Sequence, residues 1–123
     1  MIGYVTIGVS DMQKAREFYG ALFKDMGGEE LFGFDRIKFY GKNKSEPMLA
    51  ICIPFDEKAA SCGNGTMVSF SASDNAGVDA LYAKAIELGA TDEGEPGERV
   101  PDFFYGAYVR DADGNKLCFY KMT

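Results

Sequence analysis

The side chains best suited to chemistry in this sequence are three cysteines, Cys52, Cys62 and Cys118, and an arginine near the C-terminal end, Arg110. The chain contains no histidine. This absence excludes Ser-His-Asp and Cys-His catalysis, and it removes both the commonest metal ligand and the usual acid–base group at neutral pH. An odd number of cysteines without a Cys-x-x-Cys spacing predicts reduced thiols. Since no histidine is available to activate it, Cys118 is predicted to be a small buried hydrophobic residue and not a nucleophile.

Arg110 has two alternative roles. Its guanidinium group could hold a carboxylate or phosphate through two parallel hydrogen bonds, or it could form a salt bridge at the end of a strand. On the strand adjoining Cys118, it is also the only obvious nearby cation. The acidic residues cluster in segments predicted to be solvated loops, at residues 56–57 and 92–95, and no pair of catalytic carboxylates is visible.

Residues 111–115 have the sequence Asp-Ala-Asp-Gly-Asn between two runs of aromatic and β-branched residues. A calcium-binding EF-hand loop requires Gly at its sixth position and Glu at its twelfth. Lys116 and Met122 occupy those positions, so the segment is predicted to be the tight turn of a β-hairpin.

The charge of the chain limits its partners. The 123 residues include 13 basic and 19 acidic side chains, a net charge of −6. This balance argues against nucleic acid and against an anionic membrane surface. No apolar run approaches the ~18 residues of a membrane-spanning helix, and the N-terminal residues lack the pattern of a signal peptide. A cytoplasmic location is therefore expected.

The elements that must position these side chains follow one order, which occurs twice. In the first half, residues 2–9 alternate as a strand, with Tyr4 and Thr6 on one face. Ser10 is a candidate helix N-cap, and the apolar periodicity from Met12 to Phe23 predicts a helix that ends before Gly27. Strands are predicted near residues 31–34, 36–40 and 48–53.

In the second half, residues 66–72 alternate as a strand, with Met67 and Ser69 on one face. Ser73 or Asp74 can cap a second helix, which Gly89 ends. Strands are predicted near residues 98–100, 103–110 and 116–121. Residues 56–65 are a polar linker between the halves.

The chain is therefore predicted to be α+β, a single domain over residues 1–123 made of two βαβββ modules, at about 1–55 and 65–123. Together the modules would form a curved, cup-like mixed sheet with the helices outside, and the cup would be a ligand surface.

This organisation resembles the vicinal oxygen chelate superfamily, also called the glyoxalase/bleomycin resistance/dioxygenase family. The matching segments are residues 5–11 before a helix containing Phe18 and Tyr19, residues 64–70 at the start of the second half, residues 78–82 in the second helix, and residues 109–116 at the closing hairpin.

The resemblance implies paired βαβββ modules, often a homodimer, and in the metalloenzymes a divalent ion bound inside the cup by His, Gln or Glu. The family's ligand positions match Tyr4, Met67 and Cys118 here, and the remaining position matches Met48, Ala50 or Cys52. None of these residues is a usual ligand of the family. A zinc site formed by Tyr4, Cys52 and Cys118 would lack sufficient ligands, so neither a metal nor another cofactor is expected.

The preferred function is metal-independent binding of a small, aromatic or apolar molecule in a hydrophobic cup. One alternative is a metal-dependent lyase, isomerase or dioxygenase, and another is a dimeric domain whose cup is filled by its own side chains. The candidate ligand-binding residues are Tyr4, Thr6, Met67, Ser69, Phe104, Tyr108, Arg110, Cys118 and Tyr120.

Overall fold

The computed structural model describes residues 1–123 and contains two helices and two four-stranded sheets. The chain divides into two compact units, Met1–Cys62 and Gly63–Thr123. Each unit has one helix and one mixed sheet in the order strand, helix, strand, strand, strand. The predicted α+β class and the two βαβββ modules are therefore confirmed.

In the first unit, the first strand pairs in parallel with the last strand of the unit, and the remaining strand pairs are antiparallel. The strand order in the sheet is β1-β4-β3-β2. The elements are β1 (Tyr4–Gly8), α1 (Met12–Asp25), β2 (Glu29–Phe34), β3 (Ile37–Gly41) and β4 (Met48–Cys52).

Helix α1 begins one residue later than the sequence predicted. Its N-cap is Asp11, not Ser10, because the Asp11 carboxylate accepts a hydrogen bond from the Lys14 backbone N–H at 3.1 Å. The helix ends before Gly27, whose φ of +79° belongs to the left-handed region that favours glycine.

The core of the first unit lies between α1 and one face of its sheet. The Phe23 ring of α1 lies 5.5 Å from the Tyr40 ring of β3. Side chains at alternate positions of the neighbouring strands share that face. The buried residues are Ala15, Tyr19, Leu22 and Phe23 of α1, and Ile7, Tyr40, Leu49 and Ile51 of the sheet.

The second unit repeats this plan, with strand order β5-β8-β7-β6 and one parallel pair between its first and last strands. The remaining pairs are antiparallel. The elements are β5 (Val68–Ser71), α2 (Asn75–Glu87), β6 (Thr91–Val100), β7 (Phe104–Arg110) and β8 (Lys116–Met122).

Helix α2 covers the odd-numbered face of β7 and β8. The Tyr105 hydroxyl donates a hydrogen bond to Asp79 of α2 at 2.6 Å, which marks this face. The Asp74 side chain accepts a hydrogen bond from the Gly77 N–H at 2.7 Å. Of the two predicted N-cap candidates, Ser73 and Asp74, the structure therefore has Asp74. The buried core of the unit contains Val78, Leu81, Ala85, Ala107, Val109, Leu117 and Phe119.

Strand β6 is the clearest difference from the sequence prediction. Residues 92–95, predicted to lie in a solvated loop, are part of a ten-residue strand. Glycine and proline lower strand propensity, and β6 contains Gly94, Pro96 and Gly97. The strand tolerates them because it lies at the edge of the sheet and its register with β7 shifts at bulges near both glycines.

The predicted turn between β7 and β8 is present. The Gly114 N–H donates to the Asp111 carbonyl at 3.0 Å, and Gly114 has a φ of +83°. The buried Asp111 carboxylate accepts hydrogen bonds from the backbone N–H groups of Asp113 and Asn115, both at 2.9 Å. The side chain of Asp111 therefore fixes the turn that the sequence pattern predicted.

Neither helix has both the length and the apolar character needed to cross a membrane.

Candidate functional site

Six of the nine predicted site residues lie on one face of the second sheet. This face, called here the second-sheet face, is opposite α2 and carries the even-numbered side chains of β7 and β8 together with Ser69 of β5. Its predicted residues are Ser69, Phe104, Tyr108, Arg110, Cys118 and Tyr120.

Three of these residues form one row across the sheet. Cys118 is in register with Ser69 on one side and with Tyr108 on the other. The hydroxyl groups of Ser69 and Tyr108 would lower the pKa of the Cys118 thiol, but burial outweighs them and raises it. Cys118 has 0% of its surface exposed, which confirms that it is buried as predicted. Cys118 is therefore covered by its neighbours on this face and is unsuited to nucleophilic attack.

Besides Tyr108, this face carries a stacked pair of aromatic rings. The rings of Phe104 and Tyr120 lie 5.5 Å apart with an interplanar angle of 7°. A Cβ atom at the neighbouring Gly106 would lie 2.7 Å from the Phe104 ring and 3.4 Å from the Tyr108 hydroxyl oxygen. Gly106 therefore leaves the space that the Phe104 and Tyr108 side chains occupy beside the stacked pair.

Arg110 is engaged within the protein. Its Nη2 atom forms an ion pair with Glu93 of β6 at 3.1 Å, and its Nη1 atom donates to the Gly114 carbonyl at 3.0 Å. The sequence left two roles open for Arg110, and in the structure it forms the salt bridge.

Two cations that were not predicted as site residues also lie over this face. The Arg99 guanidinium carbon and the Lys116 Nζ atom each lie 5.3 Å from the centre of the Tyr108 ring. Both positive charges act on Cys118 by favouring its thiolate. The prediction that Arg110 is the only nearby cation was wrong, because Lys116 lies on the same strand as Cys118 and the Arg99 side chain reaches Tyr108 from β6.

Two glycines make room for the Arg99 side chain. A Cβ atom at Gly97 would lie 3.0 Å from Arg99 Nη1, and one at Gly94 would lie 3.3 Å from Arg99 Nη2 and 2.9 Å from the Tyr108 ring. The Arg99 guanidinium also donates a hydrogen bond to the Glu95 carbonyl oxygen. The sequence feature that could have indicated the position of Arg99 is therefore the pair of glycines that precede it in β6, Gly94 and Gly97.

The three other predicted residues belong to two different units. Tyr4 and Thr6 lie on the first sheet, in register with Met48 and Ala50 of β4. The Tyr4 ring makes an edge contact with Phe39 at 4.9 Å, and Tyr4 is 53% exposed. Met67 directly precedes β5 and is 41% exposed. That Tyr4 and Thr6 share one cup with the second-sheet face stays a prediction.

The parallel strand pairs of the two units can be aligned residue by residue. Thr6 faces Ala50 in the first unit, and Ser69 faces Cys118 in the second. With Tyr4 and Met67 taken as equivalent positions, as the family resemblance implies, Ala50 is the first-unit counterpart of Cys118 among Met48, Ala50 and Cys52. The ligand positions expected from the family are then Tyr4, Ala50, Met67 and Cys118.

This set of side chains does not fit the divalent metal of the family's metalloenzymes. Alanine offers no donor atom, methionine is a weak ligand for hard or borderline cations, and the Cys118 thiol is held neutral. No group of three or more His, Cys, Asp or Glu side chains in the chain is arranged to hold a metal ion.

A separate groove of about 340 Å³ lies on the helix side of the first unit. Within it, Arg16 and Tyr40 both donate to the Glu30 carboxylate, at 2.9 Å and 3.0 Å. Burial would raise the pKa of Glu30, but these hydrogen bonds outweigh burial and lower it. Burial and the contact with Glu30 raise the pKa of Tyr40. The polar groups thus satisfy one another and hold α1 against the sheet. The groove is lined by Gln13, Arg16, Glu17, Gly20, Glu30 and Tyr40.

Comparison with known proteins agrees with the duplicated fold. The sequence matches the glyoxalase/bleomycin resistance protein/dioxygenase superfamily over residues 1–119. The chain belongs to this superfamily. No curated protein matches the sequence.

Among solved structures, a glyoxalase/bleomycin resistance protein from Albidiferax ferrireducens T118 is 33% identical, with a TM-score of 0.89 over 100% of this chain and 99% of that one. A glyoxalase-related enzyme from Fulvimarina pelagi is 20% identical, with a TM-score of 0.79 over 98% of this chain and 87% of that one. A lactoylglutathione lyase from Agrobacterium tumefaciens is 23% identical, with a TM-score of 0.72 over 98% of this chain and 92% of that one. The last two similarities concern the fold alone.

Proposed function

We propose that this superfamily member binds a small aromatic molecule on the second-sheet face and does so without a metal ion. The observation that carries the proposal is the row formed by Ser69, Cys118 and Tyr108. At Cys118 the family resemblance implies a metal ligand, yet this thiol is fully buried between the two hydroxyl-bearing residues in register with it.

The chemistry of this face suits a planar ligand. The stacked rings of Phe104 and Tyr120 offer apolar area, and aromatic ligands stack on such rings at about 0.5–1.5 kcal/mol beyond the area that they bury. The hydroxyl groups of Ser69 and Tyr108 provide orientation by hydrogen bonding. A planar molecule with one polar substituent therefore complements the face best.

A thermal-shift screen with a library of planar aromatic compounds tests the binding proposal. A ligand present at about 100 times its Kd stabilises a protein by about 2.7 kcal/mol. For a domain of this size that is a rise in Tm of roughly 10 °C. Failure of every compound to raise the Tm would remove the support for the proposal.

Two neighbouring phenylalanines provide a matched pair of variants. Phe104 stacks on Tyr120, whereas Phe103 precedes β7 and is 50% exposed. Phe104→Leu should raise the Kd of a compound found in the screen by about 3- to 10-fold, and Phe103→Leu should leave it unchanged. Equal effects of the two substitutions would show that the ligand binds elsewhere.

Metal independence is tested by elemental analysis of protein purified without chelators. The expected content of Zn, Ni, Fe and Mn is far below one ion per chain, and a chelator should not change the Kd of the ligand. Stoichiometric metal that is lost on chelation together with ligand binding would instead support a metal-dependent lyase, isomerase or dioxygenase.

The expected homodimer and cytoplasmic location are part of the same proposal. Exposed apolar side chains on the first strand, with Tyr4 at 53% and Val5 at 41% exposure, favour association with another copy. Light scattering coupled to size exclusion would measure the mass in solution, and a monomer at high concentration would contradict the dimer. The three free cysteines, Cys52, Cys62 and Cys118, suit a reducing compartment.

A further inference from the structure

The charge of the second-sheet face differs from that of the chain as a whole. The protein has a net charge of −6, yet Arg99, Arg110 and Lys116 all lie on or over this face. Only Arg110 is neutralised there, by its ion pair with Glu93. Neither Arg99 nor Lys116 forms an ion pair with a carboxylate. The face therefore carries two uncompensated positive charges beside its aromatic surface.

Arg99 is held in position before any ligand arrives. Its guanidinium stacks 5.3 Å from the Tyr108 ring centre and donates a hydrogen bond to the Glu95 carbonyl. The absence of side chains at Gly94 and Gly97 provides the space for it. A guanidinium has five N–H donors in a planar arrangement that matches a carboxylate or phosphate. With one donor used by Glu95, the others remain for an anionic group.

We propose that the molecule bound on the second-sheet face carries a carboxylate or phosphate group, which Arg99 and Lys116 hold beside the Tyr108 ring. This inference rests on the proposed function and specifies its ligand class as anionic aromatic compounds. Arg110, the residue that the sequence favoured for this role, is occupied by Glu93 and Gly114. The anion therefore binds to the cations that lack a carboxylate partner.

Three probes of similar size separate charge from aromatic area. They are 2-naphthoate, its neutral amide 2-naphthamide, and 2-naphthyl phosphate, each titrated into the 123-residue protein by calorimetry. Charge-assisted hydrogen bonds are roughly twice as strong as neutral ones. The anionic probes should therefore bind about tenfold more tightly than the amide, equivalent to about 1.4 kcal/mol. This preference should weaken as the salt concentration rises. The ratio of the carboxylate and phosphate affinities identifies the better anion.

Arg36 provides a matched control for Arg99. Its guanidinium carbon lies 5.4 Å from the Phe55 ring centre, and its Nη1 atom donates to the Ile53 carbonyl at 2.8 Å. Both arginines thus stack on one ring and bind one backbone carbonyl. Arg99→Met should abolish the preference for the anionic probes, Lys116→Met should reduce it, and Arg36→Met should leave it unchanged. Circular dichroism of each variant establishes that it is folded.

Three results would overturn the inference: equal affinity for 2-naphthoate and 2-naphthamide, an unchanged preference in Arg99→Met, or an equal loss in Arg36→Met. Equal binding of acid and amide would leave the proposed function standing and remove only the anionic ligand class. If no naphthyl probe binds, the anion inference falls, and the proposed function is then decided by the wider aromatic screen.

Discussion

Replacing Asp111 by alanine should destabilise the protein more than any other single change in the closing hairpin. The Asp111 carboxylate accepts two backbone hydrogen bonds, from Asp113 and Asn115, and a third from the Asn115 side chain at 3.0 Å. Asp111 and Asn115 are each only 7% exposed. Water therefore cannot easily replace the acceptor that Asp111→Ala removes.

The magnitude follows from these contacts. A hydrogen bond contributes about 1 kcal/mol net, and a buried donor left without a partner costs about 1–3 kcal/mol. Partial relaxation of the turn lets some donors reach water, so we expect a loss of about 3 kcal/mol in the free energy of unfolding. That is a large share of the roughly 5–15 kcal/mol that stabilises a typical domain.

Urea unfolding followed by circular dichroism measures this loss. With a slope near 2 kcal/mol/M, the midpoint should fall by about 1.5 M while the slope stays constant. Asp56→Ala is the control, because Asp56 accepts one hydrogen bond, from the Lys58 N–H at 3.0 Å, in an exposed turn. Its midpoint should fall by less than about 0.5 M.

Asp111→Asn should lie between wild type and Asp111→Ala, because the amide keeps one acceptor oxygen for the backbone N–H groups. The reasoning would be refuted if Asp111→Ala and Asp56→Ala lowered the midpoint equally. In that case the buried carboxylate would not be what stabilises the turn.

Three further predictions concern other parts of the chain. In native protein, iodoacetamide should modify the exposed Cys62 well before Cys118, because Cys118 is buried and its thiol pKa is raised; equal labelling rates by mass spectrometry would contradict this. The pKa of Glu30 is lowered in the folded protein. The carboxylate therefore contributes to stability above pH 4.5, its ordinary pKa, and this contribution is lost as the pH falls through the pKa of the folded state. Urea midpoints of wild type should therefore fall more steeply than those of Glu30→Gln as the pH drops below 4.5, and parallel curves would disprove the pairing. Gly97→Ala places a Cβ atom 3.0 Å from Arg99 Nη1 and should displace the guanidinium. The preference for 2-naphthoate over 2-naphthamide should then fall at least by half. An unchanged preference would mean that the position of Arg99 is not important for binding.

Much of the fold could be read from local patterns. The helical periodicity from Met12 to Phe23 and the turn chemistry at residues 111–115 predicted α1 and the closing hairpin, because both depend on neighbours within a few residues. Strand β6 could not be predicted in the same way. Its glycines and Pro96 disfavour a strand locally, and only pairing with β7 at a bulged edge makes it one.

The candidate site also has a part that could be predicted from the sequence and a part that could not. Alternation along β5, β7 and β8 was sufficient to assign Ser69, Tyr108 and Cys118 to one face, because side chains of a strand alternate strictly. The role of Arg110 was left open, and Arg99 was missed. The partner of a long charged side chain depends on which groups the neighbouring strands bring within its reach.

The sequence by itself determined the family and the two βαβββ modules, since these depend on residue types at fixed spacings. The tertiary structure decided which cations remain without a carboxylate partner on the second-sheet face. That choice depends on the register of β6 against β7, which brings Glu93 to Arg110 and lets Arg99 fold over Gly94 and Gly97 onto Tyr108. Contacts between side chains on different strands arise only once the strands have paired, so no local pattern encodes them.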